Sequence, residues 1–225
     1  MKATILHEDN HIIVVHKPAG IAVQSARIGQ ADLVSELKKH LAKNAGSNPY
    51  LGVIHRLDQP VEGVLVFAKN PKAAAELSMQ VQGDDFCKEY LAVVCGKLEN
   101  TQGELVDYLE KQNGIAVVTT PEKGKKSVLQ YRVLKETVAQ EQPISLLHIT
   151  LKTGRFHQIR VQFSRAGYAL LGDKKYGSAE SFALSEKLQV RNVALCAWTL
   201  TFNHPQTKEK LEYTVNPANP AFDLF

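Results

Sequence analysis

The chain has 225 residues, of which 44% are apolar and 22% charged, and its formal net charge is +4. That composition can bury a core and excludes a low-complexity or disordered chain. No apolar run approaches the roughly 20 residues needed to span a bilayer, and Glu8 and Asp9 arrive too early for a secretory leader, so a cytoplasmic protein with no membrane partner is expected.

The first element is a β-branched run, Ile12 to Val15, entered through a turn at Asp9-Asn10 and stopped by Pro18 and Gly20. Residues 31–43 place Leu33, Val34, Leu37 and Leu41 at helical spacing, and Asn44-Ala45-Gly46-Ser47-Asn48-Pro49 reads as a loop. Next comes Gly52-Val53-Ile54-His55-Arg56-Leu57-Asp58-Gln59-Pro60-Val61-Glu62-Gly63, running into Val64-Leu65-Val66-Phe67. A strand-like approach ends in titratable residues, Pro60 and Gly63 turn the chain, and the second run reads as a buried strand. A carboxylate at such a strand end is presented on rigid backbone. Spacing alone favours the plainer reading, a surface Arg–Asp pair capping a turn.

Pro71 is placed to start a helix over Lys72–Gln82, closed by Gly83-Asp84-Asp85. Cys87 to Gly96 is the next strand. Glu104 to Leu151 reads as several antiparallel strands, among them Ile115–Thr119, Ser127–Leu134 and Ser145–Leu151, with turns at Gly114, Gly124 and Gln140–Pro143. Over Arg155–Ala166, Phe156, Ile159 and Phe163 fall on one helical face, and Gly167 ends the helix. A Gly-bracketed loop, Gly172-Asp173-Lys174-Lys175-Tyr176-Gly177, precedes two strands, Ala194–Phe202 and Leu211–Val215. No composition break marks a linker. The expected fold class is α+β, a single domain over 1–225 with a mostly antiparallel mixed β-sheet flanked by a few helices.

The three cysteines, Cys87, Cys95 and Cys196, make neither a CxxC pair nor an even framework, so reduced, buried thiols are expected. The histidines lack ligand spacing, so no metal is expected. Basic residues crowd two regions: Lys123, Lys125, Lys126, Arg132 and Lys135, then Lys152, Arg155, Arg160, Arg165, Lys174, Lys175, Lys187 and Arg191. Such patches suit a phosphate backbone, although a solvated helix face carries similar charge.

Four motifs in order carry a resemblance: Lys17-Pro18-Ala19-Gly20, His55-Arg56-Leu57-Asp58, Lys88-Glu89-Tyr90-Leu91-Ala92 and Gly154-Arg155-Phe156-His157-Gln158-Ile159-Arg160. Together they resemble the RluA family of RNA pseudouridine synthases across nearly the whole chain, and imply that family's fold. Because the chain opens on the first motif, no S4-type RNA-binding domain is expected ahead of it. The resemblance implies an isomerase acting on uridines in structured RNA, rRNA or tRNA rather than DNA, as a monomer. The reaction breaks C1′–N1 and joins C1′ to C5, so its atoms balance and no cofactor is required.

The same resemblance implies site roles. Asp58 is the catalytic carboxylate, either attacking C1′ or taking the C2′ proton. Arg160 forms an ion pair with it, although the bare sequence would allow a solvated helix residue. Tyr90 stacks on the target base, where a core tyrosine is the plain alternative. Arg56 helps extrude the uridine and fills the gap. Leu171 packs beside the base, with Leu170 as a rival, and Arg155 and His157 complete the substrate-binding set. His55 is expected to position the loop.

One departure stands out: Val61 and Glu62 replace the family's usual hydroxyl pair before the glycine. Glu62 is expected to face solvent or to pair with a basic neighbour. Two other functions stay open: a non-catalytic RNA-binding protein on the same fold, and a glycosidase, which normally needs two cooperating carboxyl groups.

Overall fold

The computed structural model describes residues 3–25, 31–45 and 48–225. The chain divides into two compact units, Met1–Lys88 with Ala197–Asn216, and Glu89–Cys196 with Pro217–Phe225.

The first unit holds β1 (Thr4–Glu8), β2 (Ile12–Lys17), α1 (Leu33–Ala45), β3 (Gly52–Val53), β4 (Glu62–Ala68) and α2 (Pro71–Gln82). Most of β10 (Leu195–Asn203) and all of β11 (Lys210–Thr214) return to it late in the chain. Its strand order is β1-β2-β4-β10, with β11 on β10 and β3 on β4. Every residue of β4 is buried, because the strand is central and both faces are covered. Helix α2 starts as expected: Pro71 is its first residue, and the Asn70 side chain accepts the Ala73 N–H. Of the loop expected after α1, Gly46 and Ser47 lie outside the described residues.

The second unit contains nearly all of β5 (Cys87–Cys95), then β6 (Gln102–Gln112), β7 (Ile115–Thr119), β8 (Lys125–Ala139) and β9 (Gln142–Leu151). It also contains α3 (Gln158–Arg165), α4 (Ala179–Lys187) and a closing 3₁₀ turn, Pro220–Leu224. Its strands run β5-β9-β8-β6-β7, each pair antiparallel. Val93, Ile144, Leu171, Leu184, Val190 and Ala194 form a core cluster against β5 and β9. The architecture is the expected α+β class with a mostly antiparallel sheet and flanking helices.

Three local expectations change. Strands β8 and β9 run longer than their apolar cores suggest, because Gln140 and Glu141 alone turn the chain, both at positive φ (50° and 65°). This is the geometry of a type I′ hairpin turn without the usual Asn or Gly. Helix α3 begins three residues late because His157 adopts the left-handed conformation (φ 53°, ψ 25°), leaving Phe156 outside the helix. All three cysteines are free thiols, but only Cys196 is fully buried.

Candidate active site

In the first unit the His55-Arg56-Leu57-Asp58 segment links β3 to β4 and is pinned at both ends. The Val66 N–H donates to His55 Nε2 at 3.2 Å, and the His55 ring meets Phe86 edge-on at 5.1 Å. An accepting Nε2 requires the neutral imidazole. Burial, helped by the nearby Lys88 charge, pushes its pKa down to about 3. His55 therefore positions the loop, as expected. At the other end the Val61 N–H donates to the Asp58 carbonyl at 3.1 Å, closing a turn. Arg56 is exposed, Leu57 is buried beneath the loop, and Asp58 is partly buried.

A second tether comes from Lys17 at the end of β2, which sequence reading passed over. Its side chain is 0% exposed, and its ammonium donates to the carbonyls of Pro18 (3.0 Å), Ile21 (2.8 Å) and Gln59 (3.3 Å). Gly20 and Gln59 also clasp each other: the Gly20 N–H donates to the Gln59 carbonyl at 2.8 Å, and Gln59 Nε2 donates to the Gly20 carbonyl at 3.0 Å. The residue after Asp58 is thus bound from three directions. Burial pulls the Lys17 pKa down to about 8, with Asp58 and Glu62 opposing that fall. The Lys-Pro-x-Gly motif was the available signal, but only tertiary packing reveals the lysine as buried.

Glu62, the departure from the family pattern, is 2% exposed and does not face solvent. The cross-strand pairing of β2 with β4 sets it diagonally across from His16, whose Nε2 lies 3.9 Å from Glu62 Oε2. Pairing with basic neighbours is the expectation that holds. The adjoining Gly63 has φ +134°, and a Cβ there would sit 2.4 Å from the Ala197 carbonyl oxygen, so the glycine is obligatory.

In the second unit Arg160 projects from α3 and is 4% exposed, so the solvated alternative does not hold. Its Nε and Nη2 donate to Asp173 Oδ2 and Oδ1 at 2.8 and 2.7 Å. Burial alone would raise the Asp173 pKa; the Arg160 guanidinium overcomes this and holds the carboxyl below its ordinary value. Asp173 also accepts the N–H groups of Lys175 and Tyr176, and the Tyr176 ring lies 5.1 Å from the guanidinium carbon. The Tyr176 hydroxyl accepts the Ala116 N–H at 2.7 Å and shares a hydrogen bond of 2.7 Å with His157 Nδ1. Asp173 and Tyr176 had only their Gly-bracketed loop as a sequence signal.

Gln158 fixes the loop before α3: its Oε1 accepts the Thr153 hydroxyl (2.8 Å) and the Arg155 N–H (3.0 Å). Arg155 itself is exposed, its Nε donating to the Lys126 carbonyl at 3.2 Å. Tyr90, on β5 opposite Ile149, is 6% exposed, and Leu171 is 0% exposed within the core cluster. The two basic regions are exposed throughout, Arg160 excepted. Asp58 and Arg56 belong to the first unit; Tyr90, Arg155, His157, Arg160 and Leu171 belong to the second.

The family described as RNA pseudouridylate synthase matches residues 11–165, more than half of the chain. The chain belongs to that family, as its RluA-type motifs led one to expect. It is 35% identical to ribosomal large subunit pseudouridine synthase D of Nitrosomonas europaea, over 92% of this chain and 60% of that protein. It is 32% identical to the RNA pseudouridine synthase YlyB of Bacillus subtilis, over 95% of this chain and 68% of that protein. The chain thus spans roughly two thirds of these relatives' length or less. Among solved structures, human RNA pseudouridylate synthase domain containing 1 superposes with a TM-score of 0.75 over 96% of this chain and 83% of that one, at 21% identity, a likeness of fold.

Proposed function

We propose that this chain isomerises uridine to pseudouridine in structured RNA, with Asp58 as the catalytic carboxylate. The observation that supports it best is the family match across residues 11–165, combined with an Asp58 loop held by His55 on one side and Lys17 on the other. A carboxylate that must meet one carbon or one proton of an extruded nucleotide needs a fixed backbone. The relatives' names point to the large ribosomal subunit as the RNA to try first, with tRNA second.

In this reading the whole chain, 1–225, works as one catalytic domain, a monomer in the cytoplasm. Arg160 serves Asp58 as its cationic partner with the guanidinium N–H groups that Asp173 does not take, Tyr90 stacks on the base, and Arg56 fills the space left by the extruded uridine. Leu171 backs the base pocket from the core, and Arg155 and His157 contact RNA. The C1′–N1 bond breaks, the uracil turns, and C1′ joins C5; the C5 proton leaves and N1 gains one. Nothing is oxidised or reduced, so the side chains suffice.

The test is incubation with uridine-labelled transcripts of ribosomal and transfer RNA. Pseudouridine without free uracil is the expected product. Released uracil would indicate a glycosidase, and binding without turnover a non-catalytic RNA-binding protein.

A further inference from the structure

We propose that Tyr176 is a positioning residue for Arg160, its ring setting the plane of the guanidinium, a role that rests on the isomerase reading above. Tyr176 runs along one face of α3. Its hydroxyl bonds His157 Nδ1 at 2.7 Å, its ring lies under the Arg160 guanidinium carbon at 5.1 Å, and its carbonyl accepts the Ser164 hydroxyl at 2.6 Å. Positions 157, 160 and 164 are spaced i, i+3 and i+7, a single stripe of the helix and its first flanking residue. All of these residues belong to the second unit.

The Asp173 bridge fixes one edge of the guanidinium only, through Nε and Nη2 at 2.8 and 2.7 Å. Two bonds along one edge define a line and leave rocking of the plane about that line as the soft motion. A plane needs a third point, and the Tyr176 ring supplies it off that line. The attraction of a cation to a ring face strengthens when water is excluded, and Arg160 is 4% exposed. Because the guanidinium is a rigid planar fork, its plane sets where the N–H groups not taken by Asp173 point. Those are the groups that the isomerase reading gives to Asp58. The ring is itself held from two sides: its own backbone N–H donates to Asp173 Oδ1 at 3.2 Å, and its hydroxyl accepts the Ala116 N–H of β7 at 2.7 Å.

Ring and hydroxyl can be separated by substitution. Tyr176→Phe keeps the ring and loses the hydroxyl bonds to Ala116 and His157. Tyr176→Leu and Tyr176→Met lose both, while the backbone bonds of residue 176 to Asp173 and Ser164 persist in every variant. The first measurement needs no RNA and no turnover: the Arg160 Nε–H resonance in protein carrying nitrogen-labelled arginine. In wild type the Tyr176 ring protons should show nuclear Overhauser contacts to it, and their absence overturns the proposal without any variant. Tyr176→Phe should leave its shift near the wild-type value. Tyr176→Leu, or Tyr176→Met should the leucine variant not fold, should move it downfield and speed its exchange with water. An unmoved resonance in the non-aromatic variant overturns the proposal. The second is steady-state turnover of a uridine-labelled transcript. The non-aromatic variants should lose about tenfold in kcat with KM for RNA unchanged. Tyr176→Phe should keep most of its kcat while melting at a lower temperature, since the buried Ala116 N–H loses its acceptor. Equal kcat losses in Tyr176→Phe and Tyr176→Leu would make Tyr176 a structural anchor and overturn the positioning role. Should wild type make no pseudouridine, the isomerase reading fails, and the Arg160 resonance alone decides whether Tyr176 sets the guanidinium.

Discussion

Arg160 and Asp173 form a two-point salt bridge, Nε to Oδ2 at 2.8 Å and Nη2 to Oδ1 at 2.7 Å, with 4% and 1% of each residue exposed. Thirteen residues of sequence separate them, yet the bridge fixes both the first turn of α3 and the loop at Gly172–Gly177. Breaking a buried two-point pair by removing one partner costs about 3–5 kcal/mol. Asp173→Asn should therefore destabilise the fold by that order in urea denaturation. Arg160→Lys should recover little, since an ammonium cannot match the two-point geometry. A loss below about 1 kcal/mol for Asp173→Asn would mean the bridge behaves as an exposed pair does.

Asp58→Asn removes the proposed catalytic charge while preserving shape. Product formation should fall by about 10²–10⁴-fold or more, with RNA affinity largely intact. The tether of the loop to Val66 through His55, and the backbone bond from Gly20 to the Gln59 carbonyl, do not depend on that charge, so the melting temperature should change little. Turnover retained at wild-type rate would remove Asp58 from the mechanism.

The elements that could be read from the chain were those with local causes. Helix α2 announced itself through Asn70 and Pro71, and β7 through a β-branched run, broken only by Ala116, with a glycine before it. What stayed hidden depends on contacts remote in sequence. Nothing in Lys17-Pro18 says that the lysine is buried; that follows from the Gln59 carbonyl 42 residues later. Nothing beside Arg160 marks Asp173 as its partner. The late start of α3 escaped detection because His157, not a glycine, takes the left-handed conformation, held there by Tyr176. For Glu62 only the solvent-facing alternative fails, because its place on β4 beside His16 of β2 is set by strand pairing that the local sequence does not show.

Gly63→Ala tests how rigid the entry to β4 is. The new methyl would lie 2.4 Å from the Ala197 oxygen and 2.5 Å from its nitrogen, and φ at +134° is strained for any side chain. Backbone strain alone costs about 1–3 kcal/mol, and the clash adds to it because the neighbour is backbone within β10. The variant should lose about 3 kcal/mol or more in chemical denaturation, and should appear largely in inclusion bodies. A fully stable Gly63→Ala would show that β4 and β10 can separate at this point without cost.

The acid side of the stability curve should carry two separable signatures. His55 has a folded pKa near 3 against an ordinary value of 6.5, so the unfolded chain binds the extra proton first. Its contribution is complete above 6.5 and is lost as pH falls through the window towards 3, at up to about 1.4 kcal/mol per pH unit. Asp9 acts lower. Burial alone would raise its pKa, but the N–H groups of Ile12 and His11 and the rings of His7 and His204 hold it at about 2. Its contribution is present above 3.8 and disappears as pH drops towards 2. Urea denaturation at stepped pH should therefore show wild type losing stability from about pH 6.5 downward, steepening below about 4. His55→Gln, which keeps an acceptor for the Val66 N–H, should flatten the upper part of that slope only, and Asp9→Asn the lower part only. Were His55→Gln and wild type to run parallel between pH 6.5 and 4, His55 would not be the neutral, buried acceptor that holds the Asp58 loop to β4.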